Sequence, residues 1–127
     1  MQLTFLGKSS ESGESPTLYA TDRDSYVVQG YVVDGETLAN FHVPAEETVV
    51  EVYARLFEHL ANDGVRGNVT TITGPIVHVR ENGNYLIKGP RLVDDGARAE
   101  MAIPAHEDAV ELPKACVLAL LEGAACD

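Results

Sequence analysis

The feature that most constrains this chain is that it repeats itself. Residues 15–33, SPTLYATDRDSYVVQGYVV, lie over residues 74–92, GPIVHVRENGNYLIKGPRL, so that Pro16, Tyr26 and Gly30 meet Pro75, Tyr85 and Gly89 at a spacing of 59. After one inserted residue, 43–60 (VPAEETVVEVYARLFEHL) lies over 103–120 (IPAHEDAVELPKACVLAL). There Pro44, Ala45, Glu47, Val50, Glu51 and Leu60 recur as Pro104, Ala105, Glu107, Val110, Glu111 and Leu120. Only nine of 37 aligned positions are identical, but apolar and turn positions also keep phase. The chain therefore reads as one domain made of two repeats, 1–64 and 65–127. A unit of about 60 residues buries too little surface to be comfortable alone, so the two copies are expected to share a core about a pseudo-twofold axis.

Within each unit the residue pattern predicts a strand, a hairpin, a further strand and a helix. In the second unit Asn82-Gly83 between 76–81 and 84–89 fits a two-residue type I′ turn, which needs φ > 0 at both positions. Arg23-Asp24 fits that geometry poorly, so the first turn is expected to be longer, from about Asp22 to Ser25. Third strands are expected at about 48–52 and 109–112, each running into a helix. Pro113 suits a first helical position, and Leu56, Phe57 and Leu60 make an apolar stripe, as Cys116, Val117, Leu120 and Leu121 do in the other unit. The expected fold class is α+β: a tandem β-hairpin-β-α unit giving two small antiparallel sheets, each with one helix. The openings 2–7 and 68–74 also correspond, leaving an extra polar loop, KSSESGES, in the first unit.

Composition bounds the function classes. The net charge is −11, which repels nucleic-acid phosphate, so direct nucleic-acid binding is not expected. Residues 1–64 hold 11 acids and 3 bases, and residues 65–127 hold 9 and 6, so the first half is the more negative. No basic segment leads into an apolar run of the kind a secretory signal needs, and nowhere do about 18 apolar residues stand together. A cytoplasmic protein without membrane contact is expected, and its two cysteines, Cys116 and Cys126, are expected to be free thiols.

Catalytic patterns are sparse. His42, His59, His78 and His106 are scattered over different elements, without metal-ligand spacing; His106 beside Glu107 and Asp108 reads as a solvated loop histidine. There is no Gly-x-Ser-x-Gly elbow and no phosphate-cradling glycine loop. The pairs Glu46-Glu47, Asp94-Asp95 and Glu107-Asp108 are read as solvated charges in an acidic chain. Glu51 and Glu111, at the strand-to-helix junctions, are read as structural, favouring helix N–H groups. The chain is therefore expected to be non-enzymatic, with no metal or cofactor.

The stretches SPTLYATDR and YVVQG, followed by VPAEETVVEV and a short leucine-bearing helix, resemble small acidic actinobacterial proteins of unknown activity that are often encoded beside helix-turn-helix regulators. The likeness covers residues 2–60, and the second half only through the repeat. It implies a regulatory role as partner of a DNA-binding protein, and it carries no catalytic residue.

The two units differ where a site would lie. Thr21-Asp22-Arg23-Asp24 becomes Arg80-Glu81-Asn82-Gly83, and Gln29 and Tyr31 become Lys88 and Pro90. The expected partner-binding residues are therefore Tyr19, Thr21, Asp22, Arg23, Asp24, Gln29 and Tyr31, against the alternative of an ordinary solvated turn with Arg23 paired to a neighbouring Asp. The partner is expected to be a protein, a basic DNA-binding regulator, steered toward the acidic half of a monomer or weak dimer. The alternative is a small-ligand binder or sensor using the groove between the repeats.

Overall fold

A computed structural model describes residues 1–8, 16–65, 69 and 75–122. Among the described residues the strands are β1 (Leu3–Lys8), β2 (Thr17–Thr21), β3 (Ser25–Val32), β4 (Glu47–Val52), β5 (Ile76–Val79), β6 (Tyr85–Pro90) and β7 (Glu107–Pro113). The helices are α1 (Gly35–Leu38), a 3₁₀ helix at Ala54–Asp63, α2 (Asp95–Met101) and α3 (Lys114–Glu122). The class is α+β, and all strand pairings are antiparallel.

The expected pair of separate sheets is corrected to one seven-stranded sheet. Each third strand finds its main partner in the other half: β4 pairs with β6 from Glu47↔Pro90 to Val52↔Tyr85, and β7 pairs with β3 from Glu107↔Tyr31 to Pro113↔Ser25. Within its own half β4 meets β3 only at Tyr31↔Glu51 and Val32↔Val50, and Arg91 just past β6 meets Val110 of β7. Pairings thus run in a closed circuit through β3, β4, β6 and β7. A separate sheet per half would have left four long edges unpaired, each a row of unsatisfied N–H and C=O groups. The two main ladders share one register when residues are matched at spacings of 59 on the hairpins and 60 on the third strands.

The recurring glycines stand where strands cross closely. A Cβ at Gly30 would lie 2.6 Å from the Glu51 carbonyl oxygen and 2.8 Å from Val52 Cγ1; one at Gly89 would lie 2.5 Å from Leu112 Cδ2. Tyr26, Val28, Val50, Val52, Ile87, Val110 and Leu112 of the circuit form one buried cluster with Leu56, Phe57 and Leu60 of the 3₁₀ helix and Val117 and Leu120 of α3. Of the expected α3 stripe, Val117 and Leu120 are buried while Cys116 and Leu121 are half-buried.

Two further clusters sit on the outer faces. Val27, Leu92, Ala97, Met101 and Ala109 are covered by α2, and Val33, Val49 and Leu86 are joined by Leu38, Phe41 and Val43 around α1. Neither α1 nor α2 is among the helices expected from the sequence. Each is started by an aspartate whose side chain accepts from the backbone three residues on, Asp34 from Thr37 N and Asp94 from Ala97 N. These bonds hold both carboxyls below the usual aspartate range. Matching the caps puts the inserted residue at Val93, 78% exposed between buried Leu92 and Asp94.

Both hairpins turn through three residues. In the second, the Arg80 amide donates to Asn84 O at 2.8 Å and only Gly83 has positive φ (88°), which corrects the two-residue type I′ turn expected at Asn82-Gly83. In the first, Asp24 takes the matching left-handed position (φ 56°), within the span expected for the longer turn. The 3₁₀ helix ends at Gly64, φ 78°.

Cys116 is disulfide-bonded, so the expectation of free thiols is overturned for it; the chain's other cysteine, Cys126, lies outside the described residues. The cysteines therefore no longer argue for a reducing compartment. Among the described residues no helix is long and apolar enough to cross a membrane. Residues 9–15 of the expected polar loop and 68 and 70–74 of the second unit's opening also fall outside the described residues.

Candidate functional site

The first hairpin's tip is held from below by β7. Arg23 does not pair with its neighbouring aspartates: its Nη2 lies 2.5 Å from Glu111 Oε1, and the Ser25 hydroxyl lies 2.6 Å from Glu111 Oε2. Glu51 makes the matching reach in the other half, accepting from Asn84 Nδ2 at 2.9 Å with Arg80 Nη1 at 3.8 Å. The two glutamates are therefore clasps between halves, and their expected role at helix N-termini gives way to this one. Their recurrence at alternating positions of apolar strands was the signal that could have revealed it.

Thr21 closes the turn. Its hydroxyl lies 2.6 Å from Ser25 Oγ and accepts from the Arg23 amide at 3.0 Å. Asp22 exchanges two bonds with Gln2, accepting from the Gln2 amide at 3.1 Å and donating its own amide to the Gln2 carbonyl at 3.2 Å. Asp22, Arg23 and Asp24 are all exposed. Beside them Arg23, Asp24, Ser25, Pro90, Glu111 and Pro113 line a cavity of about 300 Å³.

Tyr19, opposite Val27, is half-buried; its ring meets Phe5 of β1 edge-on at 6.0 Å, and Phe5 is 56% exposed. Burial, and then the charges of Glu100 and Glu107, hold the Tyr19 phenol above its usual pKa. The bulge in β1 between Phe5 and Gly7 is pinned to the 3₁₀ helix by His59 Nε2 at 2.9 Å from Lys8 O and by Asn62 Nδ2 donating to Leu6 O at 2.7 Å.

The other two expected residues lie elsewhere. Tyr31 stands seven residues along an extended strand from Asp24, about 20 Å away at strand rise. Gln29 is buried and donates to Glu107 Oε1 at 3.0 Å; among the described residues Glu107 Oε2 finds no hydrogen bond and sits 3.4 Å from His106 Nε2. Glu107, read as a solvated charge, is in fact buried. Tyr31 stacks on His106 at 6.2 Å and meets Tyr53 edge-on at 6.1 Å, and Arg55 lies 4.7 Å over Tyr53. The seven residues thus divide into a charged tip with Tyr19, a separate half-buried aromatic group around Tyr31, and Gln29 in the interior.

Between the halves a larger cavity of about 640 Å³ opens where α1 faces the second turn, lined by Thr37, Asn40, Phe41, His78, Arg80 and Glu81 among others. Among the described residues no three His, Cys, Asp or Glu side chains come together as a metal site.

Comparison with family models, curated proteins and solved structures finds no match.

Proposed function

We propose that the chain is a non-enzymatic interaction module, two tandem copies of one unit, that binds a basic protein partner through the tip of its first hairpin and serves a regulatory role. The carrying observation is the charge arrangement of that tip. Arg23 leans onto Glu111, leaving Asp22 and Asp24 exposed as the outward charges. Phe5, exposed beside Tyr19, supplies an apolar anchor of the kind that gives affinity once charge has steered the approach. The matched register of the two main ladders supports the duplication. The resemblance to proteins encoded beside helix-turn-helix regulators favours a DNA-binding regulator as partner.

The test is affinity purification from the native host with mass spectrometry, then rebinding at rising salt. The expected result is one basic protein whose capture weakens with salt and with Asp22→Lys/Asp24→Lys. Equal capture by the double variant would sink the reading. A second reading, a small-ligand sensor, is favoured by the cavity between α1 and the second turn. It predicts thermal stabilisation of the isolated chain by a metabolite.

A further inference from the structure

The cavity of about 300 Å³ beside the first hairpin's tip has a counterpart at the other main ladder. The register that the two ladders share carries Ser25, Glu111, Pro90 and Pro113 of its lining onto Asn84, Glu51, Tyr31 and Tyr53. The clasp is common to both places, Ser25 donating to Glu111 and Asn84 to Glu51. What differs is the pair beside it. Tyr31 and Tyr53 are half-buried, bring their hydroxyls within 3.4 Å and set their rings edge-on at 6.1 Å, whereas Pro90 and Pro113 are exposed walls of the cavity. A pyrrolidine ring is far smaller than a phenol side chain, so the cavity stands where a second pair of aromatic rings would be. All of these residues are among the described ones.

We propose that this cavity receives a tyrosine side chain of the partner protein, with an arginine close to it in the partner's sequence. The inference rests on the interaction-module reading and names the chemistry the partner presents. Pro90 and Pro113 give the ring apolar walls, and charge selects its companion. Around the Tyr31–Tyr53 pair stand Arg55, 4.7 Å over the Tyr53 ring, and His106, stacked on Tyr31 at 6.2 Å. The same matching puts Ala115 and Glu46 in their places. Asp24 at the cavity and Glu46 are exposed, and Glu47 lines a smaller recess of about 180 Å³ that shares Pro90 and Pro113 as walls. The nearby cations are committed, Arg23 to Glu111 and Lys88 to the His42 carbonyl. A basic companion is therefore complementary. Tyrosine and arginine set in pockets are also the side chains that most often dominate an interface's binding energy.

The test titrates the ¹⁵N-labelled full chain with acetyl-Val-Tyr-Ala-Arg-amide, the 52–55 segment, and follows amide shifts. Saturable shifts are expected at residues 23–25, at Gly89 and Arg91, and at Glu111, Leu112 and Lys114. Alanine in place of the peptide's tyrosine is expected to weaken binding about tenfold, and glutamine in place of its arginine about two- to fivefold. Pro113→Tyr, which sets on the exposed wall the ring that Tyr53 supplies at the counterpart, is expected to abolish the shifts. Asp24→Asn keeps a residue type that tolerates the left-handed turn position and removes the charge, so it is expected to weaken binding about two- to fivefold. No shifts at millimolar peptide, shifts centred on other residues, equal affinity for the alanine peptide, or equal affinity in Asp24→Asn or a folded Pro113→Tyr would overturn the proposal. Partner capture that persists in Pro113→Tyr but is lost in Asp22→Lys/Asp24→Lys removes the cavity from the interface and leaves the module reading standing. Peptide binding at the cavity with no partner captured from the host sinks the module reading and leaves the tyrosine site standing.

Discussion

The hydroxyl of Ser25 lies 2.6 Å from Oε2 of Glu111, a residue 86 positions later in the chain. This contact, with Arg23 on the other oxygen, holds the first hairpin's tip onto β7. Glu111→Gln is expected to cost about 1–2 kcal/mol, because it replaces a charge-assisted bond at a part-buried site. Arg23→Ala is expected to cost no more than about 0.5 kcal/mol, since half of that side chain is in solvent. Urea unfolding of the two variants checks the order.

Gly30→Ala is expected to destabilise by about 1–3 kcal/mol, because the new methyl meets the Glu51 carbonyl oxygen, a backbone atom that cannot swing aside. Gly35→Ala, with nothing within 4 Å of the added carbon, is expected to be neutral or slightly stabilising. Thermal melts of the pair separate a crossing constraint from a general dislike of losing glycine.

Tyr26 is fully buried, and its hydroxyl donates to Asp63 Oδ2 at 2.7 Å. Burial, followed by that bond and the nearby carboxylates, holds the phenol far above its ordinary range near 10. Its folded pKa being the higher one, its contribution is complete below about pH 10 and is lost as pH rises from there toward the folded value. Stability should therefore fall with alkaline pH in the wild-type chain and fall less steeply in Tyr26→Phe, as read by urea midpoints from pH 9 to 11.5.

The strands of both hairpins and the third strands were legible in the residue pattern. Tyr26, Gly30 and Gly89 could be singled out because a fully buried ring and close strand approaches need those residue types, and residue type is what a sequence displays. What the sequence hid was which strand each third strand would join, since β4 has the same alternation whether its partner is β3 or β6. The short helices escaped because four and seven residues are too few to display an apolar period, though Asp34 and Asp94 stood three residues before the amides they cap. Gln29 reads as a surface residue because a lone polar side chain on a strand usually is one. It lies inside because Glu107, 78 positions away, is there to receive its amide.

The crossed pairing also sets an order of events during synthesis. The inner edge of β3 waits for β7, which the ribosome delivers about 80 residues later, so the first half cannot finish folding as it emerges. Until then the valines of β3 lie along a bare strand edge, the condition under which chains associate wrongly. The same long-range pairing that ties the halves together makes the nascent first half the stage of its life most dependent on dilution or a chaperone.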